Sequence, residues 1–137
     1  MAETNLRQEQ LKEKFMQFQA LQQYIEQVAE HVRVLNQQYA ELESSKEALR
    51  EFSERPVSKV LAPIVNGVFF KAEAKDNLNL LVNVGAGMMV EKPITQIVEM
   101  LAEQQKETLQ QTGEANRLLQ EFQQQAAQIY REVEALQ

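Results

Sequence analysis

Apolar residues recur at alternating steps of three and four along the first part of the chain. Lys14 and Lys46 interrupt this stripe. A 3-4 repeat keeps one stripe of a helix facing a partner helix, so it predicts a coiled-coil helix over about residues 5–55. Pro56 is expected to end it, because the residue before proline is pushed out of helical geometry. The stripe comprises Leu11, Phe18, Leu21, Ile25, Val28, Val32, Leu35, Tyr39, Leu42 and Leu49.

A second helix is predicted over residues 93–137, with Pro93 suited to its first turn. The middle of this helix is polar and contains Gly113, which costs about 1 kcal/mol relative to Ala in a helix interior. Two interpretations stay open: a flexible zone, or a tolerated glycine on a solvated face. The apolar stripe comprises Ile94, Ile97, Val98 and Leu101, and then Ala115, Leu118, Leu119, Phe122, Ala126, Ile129, Val133 and Leu136.

The segment 57–92 breaks the helical period and shows alternating apolar residues between turn signals. Asn66-Gly67 is a favoured hairpin turn, and Lys75-Asp76-Asn77 and Gly85-Ala86-Gly87 are further turn sequences. The pattern predicts two β-hairpins in tandem, joining two helices that pair antiparallel. The predicted strands cover residues 61–64, 68–74, 80–84 and 88–91.

Isolated two-stranded hairpins are marginally stable in water and have open edges. We therefore expect these hairpins to join strands of other chains, which gives a mainly α fold with a small β-element that assembles into an oligomeric β-barrel. The residues expected on the oligomerisation face are Val68, Phe70, Ala72, Leu80, Val82, Val84, Met88 and Val90.

Composition excludes several other classes. Charged residues are 25% of the chain and the net charge is −6, with no basic block of the kind that binds nucleic acid. The absence of cysteine leaves no disulfide framework and no thiolate metal site. We find no apolar run of membrane-spanning length, no nucleophile with a histidine partner and no cofactor motif. His31 is interpreted as a solvated helix residue, so we expect no enzyme, no metal and no cofactor.

The central segment resembles the prefoldin family, and most of all the archaeal α-type subunit. Three stretches carry the resemblance: Leu61–Ile64, Gly67–Glu73 and Leu81–Lys92. In the last of these, V-G-x-G followed by two apolar residues and V-E-K is the most distinctive pattern. Val65-Asn66-Gly67 replaces a more glycine-rich turn, but these residues still suit a turn. A second hairpin is similar to the α-class, since the β-class has one.

The resemblance implies a single prefoldin-like domain over residues 1–137 and a cytoplasmic, ATP-independent chaperone. Prefoldins are hexamers of two α-type and four β-type subunits, whose hairpins form a β-barrel platform. The tips of their coiled coils hold unfolded polypeptides, which pass to a group II chaperonin. An alternative function is a coiled-coil scaffold or filament-forming subunit without chaperone activity.

Apolar residues crowd the two chain ends beyond what a coiled-coil stripe needs. They are hypothesised to contact clients through non-directional apolar contacts. The alternative is that they only close the end of the coiled coil. The candidate client-binding residues are Leu6, Leu11, Phe15, Met16, Tyr130 and Val133.

Overall fold

The structure, a computed structural model, describes residues 2–54, 59–75 and 78–137. Pro56 lies outside the described residues, as do Asp76 and Asn77 of the predicted turn. The elements follow the order α1 Ala2–Glu54, β1 Lys59–Val65, β2 Val68–Glu73, β3 Asn79–Asn83, β4 Met89–Pro93 and α2 Ile94–Leu136. Two long helices and two small hairpins are thereby confirmed as the fold of the chain.

The start of α2 differs from the prediction. Pro93 was expected to open the helix, but it is the last residue of β4, where it pairs with Asn79. The helix begins at Ile94, whose N–H donates to the Leu78 carbonyl at 2.7 Å. Proline tolerates a strand end as well as a first helical turn, because the ladder needs no N–H from it there.

The chain divides into two compact units, of which the first comprises residues 1–38 and 108–137. Here α1 and α2 run antiparallel, since Lys14 forms an ion pair with Glu132 while Tyr24 stacks on Phe122 with ring centroids 5.7 Å apart. Gly113 lies exposed within an uninterrupted helix, which favours the tolerated glycine. The buried residues of this unit are Leu21, Leu35, Thr108, Ala115 and Ala126.

The second unit comprises residues 39–107 and contains both hairpins. Its α2 segment buries Ile94 and Ile97, so the first two turns of this helix are well packed. Gln105 is also buried, at 5% exposure, and it contacts α1. Gln105, one of the polar residues that interrupt the stripe, therefore lies on the packed side of the helix.

The hairpins form two separate antiparallel sheets of two strands each. In the first hairpin (β1 and β2), Ala62 pairs with Phe70, and the register shifts between Pro63 and Val65. In the second hairpin (β3 and β4), Val82 pairs with Val90. Neither sheet has a third strand, so every strand is an edge strand within the described part of the chain.

Candidate functional site

Large apolar side chains that stay exposed concentrate in two places, the hairpins and one end of the first unit. In the hairpins the extremes are Leu81 and Leu61, at 67% and 65% exposure. In the first unit, Met16 reaches 61%. Exposed apolar patches of this kind mark surfaces that bind other molecules.

One face of each hairpin is formed by even-numbered residues, here called the even face. Opposite residues in an antiparallel ladder share a face, and successive residues alternate. Val82 and Val90 are opposite each other, and the Val84 N–H donates to the Met88 carbonyl at 3.0 Å. Phe70 pairs with Ala62. The register thus groups the predicted oligomerisation residues on the even faces: Val68, Phe70 and Ala72 on the first hairpin, and Leu80, Val82, Val84, Met88 and Val90 on the second.

The opposite face, here called the odd face, is also apolar, and it was not predicted from the sequence. Leu61 and Phe69 expose 65% and 54% of their surface on the first hairpin, and Leu81 and Met89 expose 67% and 56% on the second. By comparison, Leu80 and Val82 of the even face are half-buried. The sequence does contain a signal for this face, because the odd-numbered strand residues also include a large apolar side chain, Phe69, two residues before Lys71.

The turns hold each hairpin in a glycine-dependent conformation. Gly67 has φ +77°, a left-handed conformation that glycine adopts at no steric cost. In the second turn Gly85, Ala86 and Gly87 all have positive φ, and Ala86 is the one non-glycine residue among the described residues to do so. The Asn83 Oδ1 accepts from the Gly85 N–H at 2.9 Å, which is a local substitute for a backbone turn bond.

Four of the six predicted client-binding residues form an exposed group, here called the terminal cluster. Leu6 and Phe15 are each 58% exposed, Met16 is 61% and Tyr130 is 57%. The other two, Leu11 and Val133, are half-buried. The first turns of α1 and the last turns of α2 bring the cluster to one end of the unit, since Lys14 contacts Glu132 there.

A shallow groove of about 470 Å³ lies beside the terminal cluster, between α1 and α2 of the first unit. Phe18 and Ile25 line it from α1, and Tyr130 closes it from α2. Ala126 and Ala127 leave the space open, because their side chains are too short to fill it. From the sequence, Phe18 and Ile25 were predicted only as stripe residues.

A charged contact crosses the helices at the same end. Lys14, which interrupts the apolar stripe, donates to the Glu132 carboxylate, and Gln128 donates to it at 3.4 Å. These hydrogen bonds, with that from Lys14 the stronger, hold the pKa of Glu132 below its ordinary value. Lys14 therefore interrupts the apolar stripe but still has a partner on α2, the carboxylate of Glu132.

Lys46, the second lysine that interrupts the apolar stripe, also has a polar partner on α2, here within the second unit. The Lys46 Nζ donates to the Gln105 Oε1 at 2.7 Å, and the Gln105 Nε2 donates to the Glu43 Oε2 at 2.8 Å and to the Tyr39 carbonyl at 3.3 Å. Gln105 and then Lys46 hold the pKa of Glu43 below its ordinary value. One buried amide thus satisfies two charged groups.

Neither metal binding nor membrane insertion is supported by the described residues. Within residues 2–54, 59–75 and 78–137 there is no cluster of three His, Cys, Asp or Glu side chains that could hold a metal ion. His31 is exposed on α1. None of the described helices is long and apolar enough to cross a membrane. The described residues expose apolar contact surfaces on the hairpins and in the terminal cluster.

Comparison with known proteins defines the class of protein. The family model described as "Prefoldin subunit" matches residues 21–137, which is most of the chain. The chain therefore belongs to the prefoldin family. Its fold of two helices and two hairpins and its exposed apolar surfaces agree with that assignment, and it is a prefoldin-type chaperone subunit.

Curated relatives carry the assignment to the α-type. A prefoldin subunit alpha from Pyrococcus horikoshii is 27% identical over all of this chain and 92% of its own length. A prefoldin subunit alpha 1 from Thermococcus kodakarensis is 33% identical over 71% of this chain and 67% of its own length. These matches confirm the predicted resemblance to archaeal α-type subunits.

A solved structure shows the same fold. A chain in the cryo-EM structure of filamentous PFD from Methanocaldococcus jannaschii aligns with a TM-score of 0.58 at 18% identity. The alignment covers 91% of this chain and 96% of that chain. At this identity the likeness concerns the fold alone.

Proposed function

We propose that this protein is an ATP-independent holdase that binds unfolded polypeptides through the terminal cluster and assembles through its hairpins. Its partners are β-type prefoldin subunits, in a hexamer of two α-type and four β-type chains. The complex passes its clients to a group II chaperonin in the cytoplasm. The chain acts as one prefoldin-like domain, with two helical segments and a β-element for assembly.

The observation that carries the client-binding role is the terminal cluster beside the groove. Leu6, Phe15, Met16 and Tyr130 are more than half exposed, which leaves them free for an incoming apolar segment. Methionine and aromatic side chains adapt to many partner shapes, and apolar contact is non-directional. Leu11 and Val133 are half-buried.

Support for assembly comes from the hairpins. Two-stranded sheets with open edges are marginal in water and gain stability by adding strands. The even face of each hairpin carries apolar residues, among them Phe70 and Ala72 on the first and Val82 and Val90 on the second. Joining these strands into a closed barrel with other subunits would remove their edges.

The test replaces Phe15, Met16 and Tyr130 with Ser in the assembled complex. Dilution of a chemically denatured protein without nucleotide gives a light-scattering signal, which the unaltered complex should suppress near stoichiometric amounts. We expect the triple variant to lose most of this suppression. If suppression is unchanged while native mass spectrometry shows the complex intact, the client-binding assignment is wrong.

The matched control replaces Leu109 and Leu118 with Ser. These residues are 55% and 41% exposed on α2, so the apolar surface lost is similar in kind. Leu109 lies 21 residues before Tyr130, roughly 30 Å along the helix. Suppression should survive this change, because the removed side chains lie outside the terminal cluster.

A second candidate function is a filament-forming scaffold. It is favoured by the fold likeness to a chain of a complex described as filamentous. A scaffold would form filaments that lengthen with protein concentration in electron micrographs. It would leave the light scattering of the diluted denatured protein unchanged. A holdase lowers scattering whether or not it forms filaments.

A further inference from the structure

The Gln105 side chain occupies a defined place on α1 within the second unit. The Lys46 ammonium donates to its Oε1 at 2.7 Å, and its Nε2 donates to the Glu43 carboxylate at 2.8 Å and to the Tyr39 carbonyl at 3.3 Å. These three α1 residues follow one another at steps of four and three. That is the spacing of residues that surround an inserted side chain in a coiled coil. Gln105 is therefore a polar knob in a hole that offers it polar partners.

The amide uses all of its hydrogen-bonding groups in this place. A glutamine side chain carries two N–H donors and one carbonyl acceptor, and the three contacts occupy them all. Gln105 is 5% exposed and the Lys46 side chain 12% exposed, so water cannot readily replace either partner. A buried polar network that is fully satisfied favours one arrangement of its elements over the alternatives.

The apolar stripes alone fit more than one register. Because they repeat every seven residues, moving α2 along α1 by seven residues, about 10 Å, again aligns one stripe with the other. The place of Gln105 opposite Lys46 is then taken by Val98 or Thr112, depending on the direction. Valine offers no acceptor. Threonine is two carbon atoms shorter than glutamine, and the Thr112 hydroxyl already donates to the Thr108 carbonyl at 2.8 Å. Either slip removes the closest acceptor of a nearly buried ammonium.

We propose that Lys46 and Gln105 determine the register in which α1 and α2 pair in this unit, by excluding registers displaced by seven residues. A polar residue at one core position of a coiled coil specifies register at a cost in stability. Here the cost is offset, because each interruption of a stripe supplies the partner that the other needs. The stripes provide the driving force for pairing, and the polar pair selects one alignment. This role depends neither on client binding nor on assembly through the hairpins.

The experiment measures the register in the full-length chain. The sequence has no cysteine, so spin labels can be attached through Ala48→Cys on α1 and Lys106→Cys on α2, both at exposed positions. Pulsed electron paramagnetic resonance then gives the distance between the labels. Labelled chain is diluted in unlabelled chain, so that only distances within one chain are measured. A slip of seven residues moves one label along the other helix by about 10 Å, which changes the measured distance.

Three labelled variants are compared with the otherwise unaltered chain, which should give one distance. Lys46→Met with Gln105→Leu makes both stripes apolar. A second distance should then appear, with the slipped population raised at least about tenfold, because no lost hydrogen bond to a charged group penalises the slip. Lys46→Gln with Gln105→Lys exchanges the pair and should keep the single distance, since Glu43 remains as an acceptor for the lysine. Glu41→Met with Glu103→Leu is the matched control at exposed positions and should leave the distance unchanged.

The outcomes separate a role in register from a role in folding alone. A single, unchanged distance in the apolar double variant would show that other contacts fix the register, and the proposed role would be wrong. Two distances in the exchanged variant would overturn it as well, because a polar pair would then be insufficient. Circular dichroism checks that each variant is helical. If the apolar double variant loses its helices, the pair is needed for folding and not for register, which also contradicts the proposed role.

Discussion

The buried amide of Gln105 provides the sharpest test of how the two helices are matched. Gln105 is 5% exposed, and the Lys46 side chain that donates to it is 12% exposed. Both interrupt apolar stripes, and the structure makes them partners at 2.7 Å. Replacing one of them should therefore be worse than replacing both.

The magnitudes follow from desolvation. Gln105→Leu removes the 2.7 Å acceptor of the nearly buried Lys46 ammonium and leaves it only the Glu43 Oε2 at 3.5 Å, which should cost about 1.5–3 kcal/mol of unfolding free energy. Lys46→Met leaves the Gln105 carbonyl oxygen without a donor and should cost about 1–2 kcal/mol. In the double variant an apolar pair fills the stripe, and stability should lie within about 1 kcal/mol of the unaltered protein. The coupling energy is then at least about 1.5 kcal/mol.

The assay is urea unfolding of all four proteins, followed by circular dichroism at 222 nm. Protein concentration must be equal throughout, because subunit association raises apparent stability by mass action. A matched control is Lys106→Met, an exposed lysine one position along α2, which should change little. Additive losses in the double variant would refute the claim that Lys46 and Gln105 act as a pair.

Two further changes test other contacts. Lys14 holds the pKa of Glu132 below its ordinary value of 4.5, so this carboxylate stabilises the fold fully above that pH and loses its effect as the pH falls through the lowered pKa. Acid titration of thermal unfolding should therefore show a steeper stability loss for the unaltered protein than for Glu132→Gln; parallel curves would contradict the contact. Gly87→Ala should lower stability by about 1 kcal/mol through backbone strain, because Gly87 has φ +74° while a methyl group there meets nothing within 4 Å. Urea unfolding measures this loss, with Gly113→Ala in the exposed helix as the control that should not destabilise; equal effects of the two changes would argue against strain.

Local sequence patterns were sufficient to predict the helices and hairpins of this fold. The three-and-four spacing predicted both helices, because residues three and four positions apart lie on the same face of a helix. Asn66-Gly67 and Gly85-Ala86-Gly87 predicted the two hairpins, because few residues adopt the left-handed backbone that their turns need. The even-face residues followed from strand alternation. The chain's resemblance to the prefoldin family came from the same central segment.

Contacts between distant residues could be decided only by the tertiary structure. The sequence shows Lys46 and Gln105 as separate breaks in two stripes, and only the antiparallel pairing of the helices makes them partners. The same holds for Lys14 and Glu132, and for the odd face, where Leu61 and Lys71 meet through the ladder register. Helix and strand periods report which face a residue occupies, whereas the partner across from it depends on the register between segments.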